Sequence, residues 1–461
     1  MGDTRTLLIL GASGDLASRL LLPGLGSLVA AGAANDLRLV GSGRNNMDQE
    51  SWRRRVADSF ADGGAVGPAV QRVIEQSQYL RADIADAGDL RALLDSCAPP
   101  VVIYFALPPA ITERACEILR DIGVPDGTRF AIEKPFGHNA VSAAALNDLL
   151  TSIVPEDRIH RVDHFLGSST ILNIVGLRFA NRIFEPALNA EHVAKVRITF
   201  DESLGLEGRA GYYEGSGALV DMIQSHLLQV LAIVAMEAPS TLDARDLRSA
   251  RAQVLRATHV WKDDPVRFSR RARYSAGSVN GEELPAYAEE TGVDPDRKTE
   301  TFAEIVAAVD TWRWAGVPFI LRSGKAISDP RTEVLIEFKD PPRLPTGFTG
   351  YQGPDRLRFD IAPGAGKLFL EVNINGPDDP DQLDRTTLEA QFGAGALLEY
   401  GETLKRILAG DPTLTVRGDV AVDCWRIVEP VLAAWRRDEV PLTEYAAGSA
   451  GPEEGWTDGT L

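Results

Sequence analysis

The stretch "LLILGASGDLASRLLLPGL", Leu7–Leu25, leaves few folds open. It begins as a short apolar run stopped by glycine, the pattern of a buried strand. Gly11, Gly14 and Ala17 follow at GxxGxxA spacing and open a helical pattern. Residues this small let main-chain N–H groups approach a pyrophosphate, and the positive end of a helix favours its charge. Gly11, Ser13, Gly14, Asp15 and Leu16 are therefore the candidate cofactor cradle. A tight turn alone would also ask for glycine. The strand, loop and helix around these glycines are what point to a dinucleotide.

The segments that follow keep the alternation going. Strand-like runs "LRLV", "VVIYFALPP" and "RFAIEKP" are separated by helical patterns at Ala17–Ala31, Gln49–Asp62, Ala87–Ser96 and Ile111–Ile122. Such alternation implies parallel βαβ units, a Rossmann-type doubly wound α/β domain. It fades after about Ser152. Beyond it, "HVAKVRITF", "EVLIEFKD", "RLRFDIAP" and "KLFLEVNIN" read as longer, alternating strands broken by Pro and Gly. They suit a larger α+β domain with a mainly antiparallel sheet. Two apolar helices are expected within it, near Gly217–Met236 and Lys298–Trp312. A chain of 461 residues fits two such domains, divided as 1–163 and 164–461. The polar tail "AAGSAGPEEGWTDGTL" is expected to be poorly ordered.

Charge sets limits on partners. A formal net charge of −18 argues against nucleic acid, which needs a basic footprint. No apolar run reaches the about 18 residues of a membrane span. Three scattered cysteines, Cys97, Cys116 and Cys424, form neither a disulfide framework nor a zinc pattern. A reducing, cytoplasmic setting and no metal are the expectations. The second strand, "LRLVGSGR", ends in Arg44 with Asn45 beside it and no acid. An acid there would bind ribose hydroxyls, whereas a guanidinium pairs with a 2′-phosphate, so NADP is the expected cofactor. The plainer alternative for Arg44 is a solvated surface arginine.

The ordered motifs "GASGDLA", "EKPFGHN", "RVDHFLG", "LRFANRIF", "DMIQSHLLQ" and "VPFILRSGKA", with "CWRIVEPVL" near the C-terminus, resemble the glucose-6-phosphate 1-dehydrogenase family over nearly the whole chain. The resemblance implies oxidation of C1 of a hexopyranose, by default glucose 6-phosphate, to the 1,5-lactone, with hydride transfer to NADP. It implies His226 as general base and Asp163 as the carboxylate that fixes its tautomer. Taken alone, His226 would more often be a structural histidine on an apolar helix. Lys134, in a motif whose lysine–proline bond is cis in the family, is implied between cofactor and sugar. His164, Glu202, Asp221 and Lys325 are implied on the substrate. A homodimer or homotetramer built through the larger domain is implied as well. No metal is required.

The substrate motifs also depart from the family. Phe165 stands for Tyr, and Ser168 stands where the family has a phosphate-binding lysine. Pro330 occupies a position that is usually basic in the family, with Arg331 next along as the candidate to replace it. Ser225 and Ala362 are smaller changes. Losing one charge-assisted bond to a phosphate costs about 1.5–3 kcal/mol, about tenfold to over a hundredfold in affinity. Three functions stay open at this point: glucose-6-phosphate oxidation with a variant pocket, the same chemistry on an unphosphorylated or modified hexose, and a non-catalytic sugar- or nucleotide-binding protein.

Overall fold

The computed structural model describes the chain except residues 1–5, 35, 209, 363, 365, 394, 454–455 and 457–461. The chain divides into two compact units. Unit one consists of Met1–Ser169, Pro239–Ala252 and Gly395–Asp423, and unit two of Thr170–Ala238, Gln253–Ala394 and Cys424–Leu461. A single cut after Asp163 leaves the two returning segments on the wrong side of this division. Parts of the expected polar tail make ordered contacts: Arg322 donates to the carbonyl of Ala450 and Trp456 donates to that of Arg267. Its last five residues lie outside the described residues.

Unit one carries a seven-stranded sheet. Its strands are β1 (Thr6–Leu10), β2 (Arg38–Gly43), β3 (Gln78–Arg81), β4 (Val101–Phe105), β5 (Arg129–Glu133) and β6 (Ile159–Val162), with Thr415–Val416 at the edge. The order is Thr415–Val416, β6, β5, β4, β1, β2, β3. β1 through β6 run parallel, and Thr415–Val416 pairs antiparallel with β6. Every residue of β1 and β4 is buried, as expected of strands covered on both faces. The strand order reverses between β1 and β4. Such a switch point opens a crevice beyond the strand C-termini where ligands bind.

The helix Glu399–Ala409 explains the glycines of the helix Leu22–Ala30, "LPGLGSLVA". A Cβ on Gly24 would lie 2.6 Å from Tyr400 Cβ, so only glycine admits this helix so closely. Tyr400, Leu404, Ile407 and Leu408 then join Leu7, Ile9 and Trp52 in one core. Each such side chain contributes about 1.5–3 kcal/mol by burial.

Unit two is built on an eleven-stranded, mainly antiparallel sheet. At its centre β7 (Val193–Asp201) lies between Thr332–Phe338, antiparallel, and Phe319–Gly324, parallel. Phe319–Gly324 pairs in turn with Phe302–Val309. That last strand corrects the helix expected over Lys298–Trp312. All eight of its residues, "FAEIVAAV", are buried. A run buried on every side and apolar but for Glu304 cannot be assigned to helix or central strand by periodicity. The helix expected near Gly217–Met236 is present as a wide-turned segment, Leu219–Leu227, continuing into Leu228–Ala235. No helix among the described residues is long and apolar enough to cross a membrane.

Candidate functional site

In unit one the loop after β1 sits at the switch point. Gly11 has φ +85°, and a Cβ there would meet the Ala106 carbonyl oxygen at 2.2 Å. Glycine is thus required where the ends of β1 and β4 come together. The Gly11 and Ala12 amides donate to the Ser42 carbonyl, and the Gly14 amide donates to Gly11. Gly14 and Asp15 are exposed at the mouth of the loop. The helix that starts there has first-turn N–H groups with no carbonyl a turn earlier to accept them, which is an anion-binding arrangement. Leu16 contributes only its backbone to this mouth, because its side chain packs on the core. The geometry suits a pyrophosphate.

Side chains brace the cradle from the second strand and the helix after it. The Arg55 guanidinium donates to the carbonyls of Ser13 (2.9 Å) and Gly14 (3.0 Å) and to Ser18 Oγ (3.1 Å). Asn45 donates to Ser13 Oγ at 3.2 Å. Arg44 is exposed just past β2, and Arg81 Nε donates to its carbonyl at 3.1 Å. Two guanidinium groups therefore stand at the ends of β2 and β3, a setting suited to a 2′-phosphate. Arg55 and Arg81 were not singled out from the sequence. Neither lies in a motif, and only the fold brings them to the loop.

Lys134 follows β5, and its peptide bond with Pro135 is cis. Its neighbour Glu133 accepts hydrogen bonds from the hydroxyls of Tyr104 and Tyr400, the latter at 3.2 Å. Burial pushes the Glu133 carboxyl up to about 7, against the opposing effect of the two tyrosyl donors. The Tyr400 ring also stacks on His164, with centroids 5.3 Å apart and planes 19° from parallel. Asp163 is buried after β6 and caps the short turn His164–Gly167 by accepting from the Phe165 amide at 3.1 Å. Ser168, also buried, donates its hydroxyl to the Glu399 carboxylate. Burial raises the Glu399 pKa; Ser168 opposes this and Asp163 adds to it. Tyr400 and Glu399 come from a segment over two hundred residues downstream in sequence (Gly395–Asp423), so no local pattern announces them.

In unit two His226 is buried and Asp221 half-buried on the segment Leu219–Leu227. Its turns are of the wide i→i+5 kind, which brings residues five apart closer to one face than an α-helix would. Asp221 and His226 have that spacing. Glu300 holds the start of this segment: its carboxylate accepts from the Leu219 amide at 3.0 Å and its carbonyl from Ala218 at 3.2 Å. Gly217, at φ +63°, must be glycine, since a Cβ would fall 2.3 Å from Glu300 Oε1. Burial pushes the Glu300 carboxyl up to about 7. Reading its neighbourhood as helix is what hid Glu300 in the sequence.

Lys325 and Glu202 form an ion pair at the ends of Phe319–Gly324 and β7. The Lys325 ammonium lies 5.3 Å from the Tyr213 ring centroid. Tyr213 is buried, and its hydroxyl has no hydrogen-bond partner among the described residues. Burial raises its pKa well above the usual tyrosine value, with Glu300, Asp221 and Glu202 acting in the same direction. Glu202, Asp221, Lys325 and Tyr213 thus share one electrostatic neighbourhood. Arg331 is placed differently. It lines an open cavity of about 590 Å³ with Pro330, Glu333, Arg356, Arg358 and Glu371, and neither Lys325 nor Glu202 borders that cavity.

Two family models match the chain almost end to end. "Glucose-6-phosphate dehydrogenase, NAD binding domain" covers residues 8–173, and "Glucose-6-phosphate dehydrogenase, C-terminal domain" covers 175–457. The glucose-6-phosphate 1-dehydrogenase of Gluconobacter oxydans is 38% identical over 464 residues, 97% of this chain and 94% of the relative. That of Bacillus subtilis is 34% identical over 467 residues, covering 97% and 95%. Among solved structures, the Mycobacterium avium glucose-6-phosphate 1-dehydrogenase is 31% identical with a TM-score of 0.84, covering 98% of this chain and 96% of that one. A glucose-6-phosphate dehydrogenase in complex with its substrate glucose 6-phosphate is 28% identical with a TM-score of 0.87, covering 99% and 98%.

Proposed function

The chain belongs to the glucose-6-phosphate dehydrogenase family, and on that premise we propose that it oxidises the C1 hydroxyl of glucose 6-phosphate to the 1,5-lactone, with NADP taking the hydride. The observation that carries this is the Gly11–Gly14 cradle at the sheet's switch point with Arg44 just beyond β2. Gly11, Ser13, Gly14, Asp15 and Leu16 would hold the pyrophosphate, Arg44 the 2′-phosphate, and Lys134 both cofactor and sugar. NADP, when bound, supplies the hydride acceptor.

The residues of the chain divide the remaining work. The C1 hydroxyl proton goes to an imidazole nitrogen of His226, and Asp163 is assigned to hold that ring in the right tautomer. The C1–H bond breaks with its electron pair leaving as hydride, and C1–O becomes a carbonyl. Glu202, Asp221 and Lys325 are assigned to the sugar hydroxyls, a role their shared neighbourhood supports. His164 and Ser168 are assigned to the phosphate end. Arg331 is kept as a further candidate for that end. Its separate cavity makes it the weakest of the substrate assignments. We also propose a cytoplasmic protein that forms a homodimer or homotetramer. Steady-state formation of NADPH with glucose 6-phosphate, glucose and amino- or deoxy-hexoses tests the assignment. Turnover confined to sugars other than glucose 6-phosphate would overturn the substrate, and no turnover of any would overturn the enzyme.

A further inference from the structure

Ser168 and Glu399 come from distant parts of the chain and meet inside unit one. Ser168 closes the turn His164–Gly167, and Glu399 opens the helix Glu399–Ala409. Their approach is close. A Cβ on Gly167 would lie 2.8 Å from the Glu399 carbonyl oxygen and 2.7 Å from Thr403 Oγ1, so glycine is needed for turn and helix to meet. The groups acting on the Glu399 carboxylate are a hydroxyl donor, Ser168, and a second acid, Asp163. Arg251 is a buried cation whose charge Asp163 favours, and its guanidinium donates to the carbonyls of Thr413 and Thr415.

Resting on the assignment of Ser168 to the phosphate end, we propose that Ser168 and Glu399 form an acidic specificity filter at the 6-position of the sugar, narrowing the preference for glucose 6-phosphate over glucose. A phosphate dianion is captured by charge-assisted donors. Ser168 gives its hydroxyl proton to Glu399, and in its ionised form that carboxylate repels a dianion. A neutral hydroxymethyl group meets no such repulsion. Discrimination here comes from a repulsive element as much as an attractive one.

The test compares kcat/KM for glucose 6-phosphate with kcat/KM for glucose, using NADP, in the wild type, Glu399→Gln, Glu399→Ala and Ser168→Lys/Glu399→Gln. Glu399→Gln keeps an acceptor for Ser168 and removes the charge. It is expected to raise the glucose 6-phosphate to glucose ratio by about tenfold, through KM for the phosphate, and the double variant to raise it further. Glu399→Ala should move the ratio the same way, which separates lost charge from lost packing. An unchanged ratio in both single variants, or equal changes for both sugars, overturns the filter while leaving the dehydrogenase assignment intact. Failure of the wild type to oxidise either sugar overturns both.

Discussion

The cofactor end and the sugar end of this protein are built from different materials. At the cofactor end the pyrophosphate cradle is main chain, and the side chain of Arg44 is assigned only to the 2′-phosphate. The loop after β1 offers amides at a helix start, and side chains from beyond β2 brace it, Arg55 through the carbonyls of Ser13 and Gly14 and Asn45 through Ser13 Oγ. The loop mouth at Gly14 and Asp15 is exposed. The side chains assigned to the sugar are already engaged within their own units: Lys325 with Glu202, and Ser168 with Glu399. Backbone recognition tolerates sequence drift provided the small residues stay. Side-chain recognition does not, and two departures from the family pattern, Phe165 and Ser168, fall among the residues assigned to the sugar.

Separate ends should fail separately. The largest effect belongs to His226→Ala, which should lower kcat by about 10²–10⁴-fold while leaving KM for NADP within about twofold. Steady-state kinetics with far-ultraviolet circular dichroism as a folding control measures it. A parallel rise in KM for NADP would mean the two ends are not independent. Next comes Lys325→Ala. Removing a charge-assisted donor should raise KM for glucose 6-phosphate by about ten- to a hundredfold and leave Glu202 without its cation. Rescue by Lys325→Arg would point to charge, and absence of any KM change would remove Lys325 from the sugar site.

The cofactor end is sharpened by a pair of variants. Arg44→Ala should raise KM for NADP by about ten- to a hundredfold and barely change KM for NAD. Arg55→Gln acts on the loop shared by both cofactors, so it should weaken NADP and NAD alike, by roughly threefold to tenfold. The same selectivity for both variants would contradict the division between a phosphate-reading arginine and a loop-bracing one.

The smallest effect on catalysis concerns Glu300, which acts on stability. Its folded pKa of about 7 lies above the ordinary carboxyl value because burial disfavours the charge. The folded chain therefore holds this proton more tightly than the unfolded chain. The stability it contributes is complete below about pH 4.5 and is lost as pH rises through about 7. Thermal unfolding from pH 5 to 8 should show the wild type losing stability relative to Glu300→Gln as pH rises. A constant difference between the two would contradict the raised pKa.

How much of this could be read from sequence follows the same divide. The glycine cradle was legible because its cause is local: a strand end, small residues and a helix start within a few positions. The doubly wound sheet was legible for the same reason, each βαβ unit carrying its own pattern. Phe302–Val309 was misread because a strand buried on both faces loses the alternation that identifies strands. Arg55, Glu399 and Tyr400 were invisible because their roles arise only when distant segments meet. His226 was reached through motif resemblance, since a buried histidine on an apolar helix has no distinguishing local signal. The structure adds a physical reason to look at it: wide turns that bring Asp221 toward its face, and Glu300 fixing the segment's start.

The most direct test is wild-type turnover, followed as reduced nicotinamide with NADP and with NAD, on glucose 6-phosphate and on glucose. Lactone-forming oxidation of glucose 6-phosphate with a higher kcat/KM for NADP than for NAD is the expected result. No reduction of NADP in the presence of glucose 6-phosphate, by folded protein, would contradict it.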